Sequence, residues 1–200
     1  MNFLAHIYLS GDNKIITIGN FVGDGVRGNK YKSYPTEIQI GIKLHRHIDT
    51  FTDAHPIFRQ CTKRLHKNYG HYSGVIVDIF FDHFLAKNWS NYSDEPLESF
   101  IQKFYKTLEE NFEILPNRFQ KFTPTMIEGN WLLSYASIDG IQKVLNGMNQ
   151  RTKGKSKMNE AIIELKEHYN SFEKDFTLFF DELISFSYIK RVEIEKEFNT

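Results

Sequence analysis

Met158, Ile162, Leu165, Tyr169, Phe172, Phe176, Phe179 and Leu183 return at alternating steps of four and three residues. That is the period of one apolar helix face, and Glu and Lys fill much of the other side. The pattern predicts a helix from about Met158 to Ile184. A second stripe, Leu97, Phe100, Ile101, Phe104, Leu108 and Phe112, predicts a helix beginning near Ser93. Ser93 has the chemistry of an N-cap, and Pro96 suits a first turn. Pro35 introduces a third helix, Thr36 to Phe51, and Pro56 opens a short basic one through about Lys67. The segment Gly74 to Lys87 is apolar almost all round. Periodicity alone fits a buried strand or a buried helix, and the length favours the helix. Ile15–Ile18 is ambiguous in the same way, and the Thr123-Pro124 and Gly154 regions read as loops. No repeat, low-complexity tract or linker interrupts residues 1–200. The expectation is all-α, a single-domain helical bundle.

Composition narrows the class. A chain of 200 residues with 40% hydrophobic and 25% charged residues can build one substantial core. The 18 Phe and only 5 Pro favour long packed helices. No run approaches the ~18 apolar residues of a membrane span. The start, MNFLAHIYLS, has no basic region or small-residue cleavage site, so it does not read as a signal peptide. Cys61 is the single cysteine, which excludes an intramolecular disulfide and a Cys-based zinc site. A cytoplasmic protein without membrane association is expected. The 25 cations balance 25 acids, which argues against general nucleic-acid binding.

The placement of the acids changes this neutral picture. Between Lys14 and Asn91 there are only Asp24, Glu37, Asp49, Asp53, Asp78 and Asp82. Five are Asp, although Glu outnumbers Asp 15 to 10 in the chain. Asp is a poor helix-interior residue and a good short metal ligand. On a helix, Asp78 and Asp82 lie about 40° apart on one face. Their apolar neighbours predict burial, which costs several kcal/mol per charge unless something meets it. A divalent cation or an arginine would do so; an ordinary buried Asp–Arg pair or helix caps are the plainer alternative. Ile38, Ile42, His45, Asp49 and Thr52 share one narrow face, so His45 and Asp49 continue an apolar stripe. That arrangement offers two metal ligands from one helix. His47 points away and reads as a surface residue; Asp53 reads as a cap for the helix after His55. His6 sits in apolar NFLAHIYL, and Asp24 in GNFVGDGVRGN, where small residues let backbone approach a ligand. The glycines match neither a P-loop nor a dinucleotide fingerprint. Taken together, His6, Asp24, His45, Asp49, Asp78 and Asp82 are the candidate metal ligands. Oxygen and imidazole donors without thiolate suit Mn²⁺, Mg²⁺ or Fe²⁺ better than structural zinc. Phosphoester hydrolysis fits such a set.

MNFLAH, GNFVGDGVRGN, GIKLHRHIDTFTD, DIFFDHFLAKNWS, IQKVLNGM and EHYNSFEKDF, in this order over nearly the whole chain, resemble the bacterial acyl carrier protein phosphodiesterases. The resemblance implies a divergent HD-phosphohydrolase-like bundle that needs a divalent ion, typically manganese. It implies hydrolysis of the phosphodiester joining 4′-phosphopantetheine to a serine of holo-acyl carrier protein. The adjacent His-Asp pair of ordinary HD enzymes is absent; His45 and Asp49 are separated, and Asp82-His83 runs in reverse. Under this reading Asp24 and His83 are catalytic candidates, with His83 a proton donor to the leaving serine. Arg27 and Arg46 are candidates for the phosphate.

Acyl carrier proteins are acidic, and residues 140–159 hold Lys143, Arg151, Lys153, Lys155 and Lys157 with no acid. Arg151 and Lys153 are therefore assigned to substrate binding. Ala54 to Val77 is also acid-free, with Arg59, Lys63, Arg64 and Lys67 at helical spacing. Docking through such faces weakens with salt. By segment, residues 14–93 carry 11 cations against 6 acids, while 94–139 carry net −4 and 160–200 net −5. Two other readings stay open: an HD-like phosphohydrolase acting on a nucleotide or other small phosphodiester, and a non-catalytic helical module binding an acidic protein.

Overall fold

The computed structural model describes residues 2–198, so the ends of the expected 1–200 domain, Met1, Asn199 and Thr200, lie outside the described residues. The helices run α1 (Phe3–Tyr8), α2 (Lys14–Val22), α3 (Thr36–Ala54), α4 (Pro56–Tyr69), α5 (Ser73–Lys87), α6 (Leu97–Glu110), α7 (Asn117–Glu128), α8 (Trp131–Ser134), α9 (Ile138–Arg151), α10 (Ile162–Glu167) and α11 (Tyr169–Phe198). Short 3-10 turns join several of them, and no β-strand occurs among the described residues. The chain forms a single all-α domain.

The apolar segment expected to be a strand or a helix is α5, packed by α1, α4, α9 and α11. Being covered on most sides, it needs no polar face; Ile76, Val77, Ile79, Phe80, Phe81, Phe84 and Leu85 are all buried. The phenylalanines explain themselves here. Phe81 meets Phe176 at 5.6 Å and Phe179 at 5.3 Å, and Phe80 meets Phe172 at 5.3 Å. Tilted and edge-on rings of this kind fill the space between α5 and α11.

The segment around Ile15–Ile18 is helical as well. Asn13 caps α2, its side chain accepting from the Ile15 and Ile16 amides. α2 then crosses α3 almost backbone to backbone. A Cβ on Gly41 would lie 2.1 Å from the Ile16 carbonyl oxygen and 2.7 Å from the Cα of Gly19. Only glycine at both positions permits this approach, which brings α2 against the α3 residues of the cluster described below.

Several boundaries differ from the sequence pattern. The expected Met158–Ile184 helix is divided into a 3-10 turn, α10 and α11, with a break at His168, whose ψ is 24°. Its apolar stripe continues across the break, so periodicity did not register it. α11 also runs on to Phe198, held by Phe51 stacking on Phe186 at 4.4 Å and by the Lys43–Glu197 ion pair. The stripe thins after Leu183 to Ser187 and Ile194, which hid this extension. Pro124 lies inside α7, not in a loop; burial of Phe119, Thr123 and Met126 holds that helix despite the missing N–H. Ser93 does not cap α6: its hydroxyl accepts from the Glu95 amide, and the helix starts at Leu97 after Pro96. His55, not Asp53, caps α4, its ring accepting from the Ile57 amide at 3.3 Å. The Gly154 region is a loop, with Lys153, Gly154 and Lys157 at positive φ.

Candidate metal centre

α1, α2 and α3 each contribute to one cluster. His6 comes from α1, and His45 and Asp49 lie one turn apart on α3. Each offers one ligand atom, and these atoms lie within 4.8 Å of one another. Asp49 Oδ1 is 3.2 Å from His6 Nε2, and its Oδ2 is 3.1 Å from His45 Nε2. The two imidazole rings stack with centroids 4.0 Å apart. The imidazoles are 2% and 5% exposed, whereas Asp49 is 37% and neighbouring Asp24 68% exposed. The cluster is therefore closed behind the rings and open on the carboxylate side.

Asn20 on α2 orients both rings and is fully buried. Its Oδ1 is 2.8 Å from His6 Nδ1, and its backbone oxygen is 2.7 Å from His45 Nδ1. Its Nδ2 donates to the His6 carbonyl at 2.8 Å and to Ser10 Oγ at 2.9 Å. Both acceptor atoms lack a proton, so each histidine donates from Nδ1. The lone pair of each neutral ring then sits on Nε2, facing Asp49. A partner on the far nitrogen is how metal-bound histidines are usually held.

His6 Nε2 is buried and makes no hydrogen bond, although a carboxylate oxygen stands 3.2 Å away. A lone pair facing a carboxylate calls for a proton or a cation between them. Burial, reinforced by neighbouring His45, lowers His6 to about 4, so the proton is absent at neutral pH. His45 behaves oppositely. Burial lowers it, but the hydrogen bonds to Asp24 and Asp49 prevail and raise it to about 9. Burial alone would raise Asp49, yet the His45 bond and the close approach of the His6 ring hold it far below the usual carboxylate range. The His45 bond likewise lowers Asp24. The donors fit a divalent ion, which would replace the His45 proton.

This has a measurable consequence. Below the His45 value of about 9, metal and proton compete for Nε2. Apparent Mn²⁺ affinity should rise about tenfold per pH unit from neutrality toward that value, with one proton released per ion. Calorimetric titrations in two buffers of different ionisation enthalpy count that proton. Binding without proton release at neutral pH would contradict the assignment.

A family model described as acyl carrier protein phosphodiesterase matches residues 1–183. This chain belongs to the acyl carrier protein phosphodiesterase family. Relatives of that name include those of Pectobacterium atrosepticum, 32% identical over 92% of this chain and 96% of theirs, and Photorhabdus laumondii, 33% identical over 90% and 91%. That of Shigella boydii is 33% identical over 92% of this chain and 96% of its own. No solved structure matches the chain.

In this family member the glycines beside Asp24 serve proximity. A Cβ on Gly23 would lie 2.3 Å from the His45 ring, and one on Gly25 would lie 2.4 Å from the Phe119 ring. The backbone flanking Asp24 thus passes between α3 and the first turn of α7, and the exposed carboxylate places Oδ1 3.3 Å from His45 Nε2. It also lines a cavity of about 190 Å³ with Phe3, Arg118, Phe119, Phe122 and Arg151.

The other predicted residues are dispersed. Asp78 and Asp82 do not join the ligand group among the described residues. Asp82 accepts from the Leu4 and Ala5 amides at 2.8 and 3.1 Å, anchoring the start of the helix that carries His6. Burial pushes Asp82 up to about 7, against the pull of those amides, and raises Asp78 as well. His83 lies 2.7 Å from both the Tyr135 carbonyl and the Tyr169 hydroxyl, and burial lowers its pKa. Arg46 donates to the Val26 and Gly28 carbonyls, both at 2.8 Å, pinning the loop after Asp24. Arg27 and Lys153 are exposed, and His47 is a surface residue as expected. In the α4 basic face, Arg64 is paired with Asp175 at 2.6 Å. Among the described residues no helix is long and apolar enough to cross a membrane.

Sequence reasoning missed Asn20, which orients both rings, and Arg118, which lines the cavity with Asp24. An amide inside the apolar run of α2 was the available signal for Asn20. Arg118 stands in a net acidic segment, so segment charge concealed it.

Proposed function

We propose that this chain hydrolyses the phosphodiester joining 4′-phosphopantetheine to the serine of holo-acyl carrier protein, releasing apo-carrier protein. His6, His45 and Asp49 would hold the required divalent ion, and Asp24 contacts the same His45 ring. The observation that carries this reading is the pair of Nε2 atoms turned toward one carboxylate by Asn20, in a member of a family named for this cleavage. Two imidazoles favour Mn²⁺ or Fe²⁺ over Mg²⁺, and Mn²⁺ suits the additional carboxylates.

The bound ion supplies an acidified water and charge neutralisation at the phosphoryl group. The chain supplies the rest. Asn20 fixes both tautomers, and Asp82 fixes α1 and so His6. Asp24, ionised at neutral pH and lining the cavity, would accept the proton of the attacking water and return it to the serine oxygen as the phosphorus–serine bond breaks. His83 belongs to the core, tying α5 to the end of α8 and to α11. Arg151 links the cavity to Lys153, Lys155 and Lys157, which meet the acidic surface of the carrier protein.

Holo-carrier protein incubated with the protein and Mn²⁺ should lose the mass of its prosthetic group, and a chelator should prevent the loss. An unchanged mass with Mn²⁺, Mg²⁺ and Fe²⁺ would overturn the proposal.

A further inference from the structure

Arg118, the second residue of α7, and Arg151, the last of α9, border the same small cavity as Asp24. Neither has a carboxylate partner among the described residues, whereas Arg64, Lys87 and Lys103 all have one. Two guanidiniums at one cavity repel each other, and the one carboxylate lining it, Asp24, is engaged by His45 and leaves a net positive charge there for an anion. The cavity also touches the metal centre, because Asp24 lines it and contacts His45. α7 is held at this point by burial of Phe119, whose ring lies 5.1 Å from Phe21 and against Gly25. The backbone beneath Arg118 is therefore fixed relative to Asp24. Phe3, Phe119 and Phe122 supply the apolar side, with Phe3 and Phe122 stacked at 6.0 Å.

We infer that Arg118 and Arg151 form a two-sided clamp for the phosphate of the scissile phosphodiester, with the aromatic wall receiving the branched aliphatic carbons beside it. The inference rests on the carrier-protein reading and deepens it by naming the groups that grip the substrate. Guanidinium forks match two phosphate oxygens, which a lysine ammonium does not. A phosphodiester carries one negative charge and its transition state for hydrolysis carries two. The clamp therefore strengthens as the reaction proceeds.

The test is binding of inorganic phosphate and of 4′-phosphopantetheine to the Mn²⁺-loaded protein by calorimetry. Arg118→Gln and Arg151→Gln should each weaken phosphate binding about tenfold or more, as loss of a charged hydrogen bond does. Arg118→Lys should recover part of the loss. Mn²⁺ affinity and helix content should stay at wild-type values in all three. 4′-Phosphopantetheine should bind more tightly than phosphate in the wild type. Unchanged phosphate affinity in both Gln variants would overturn the clamp, as would a loss matched by equal loss of Mn²⁺. Equal affinity for the two ligands would overturn the aromatic wall. A wild type inert on holo-carrier protein, yet binding phosphate through both arginines, would overturn the carrier-protein reading and support the clamp.

Discussion

Asp49→Ala should remove metal binding and turnover together. Among the described residues Asp49 is the one carboxylate that reaches both ring nitrogens, at 3.2 and 3.1 Å. Without it, the two buried imidazoles stacked at 4.0 Å keep only Asp24 nearby, which reaches His45 and not His6. His45 also loses one of the hydrogen bonds that raise its pKa. Loss of a partner behind a ligand costs about 10–100-fold in metal affinity, and loss of the ligand itself should exceed that range. Turnover should stay at background even at high Mn²⁺. Asp53→Ala, one turn further along the same helix and exposed, is the control and should retain both properties. Mn²⁺ titration and mass analysis of the carrier protein read the outcome, with circular dichroism confirming that helix content is kept.

Asn20→Ala should weaken the same site by a different route. The substitution deletes the side-chain acceptor of His6 and the donors to the His6 carbonyl and Ser10. It leaves the backbone bond to His45 in place. His6 is then free to rotate or change tautomer, and Mn²⁺ affinity should fall about 10–100-fold. Buried groups left without partners should also cost about 1–3 kcal/mol of stability. High Mn²⁺ should restore turnover in Asn20→Ala and fail to do so in Asp49→Ala. Titration of activity with Mn²⁺, beside denaturant unfolding, separates the two. Wild-type Mn²⁺ affinity in Asn20→Ala would show that the ring orientation does not depend on this residue.

Much of this arrangement was legible along the chain. The continuous apolar run of α5 and the stripe of α3 express burial, and burial is the strongest signal in a soluble sequence. His45 and Asp49 were conspicuous because they interrupt such a stripe with polar groups. Asp82 was conspicuous for the same reason, yet burial alone does not say what meets a carboxylate. Here backbone amides of α1 do, in place of the cation or arginine expected. Those amides come from residues 78 and 77 positions away, and no local pattern reports such a meeting. The glycines of α2 and α3 were visible only as small residues. Their meaning lies in the crossing they permit, which brings the Asn20 carbonyl to His45. The break at His168 and the helical Pro124 escaped because tertiary packing overrode local propensity in both places.

Anomalous diffraction from Mn²⁺-soaked crystals locates the ion directly. The expected result is a peak within about 2–2.5 Å of His6 Nε2, His45 Nε2 and an Asp49 oxygen. A peak held by Asp78 and Asp82, with none at the two histidines, would contradict it.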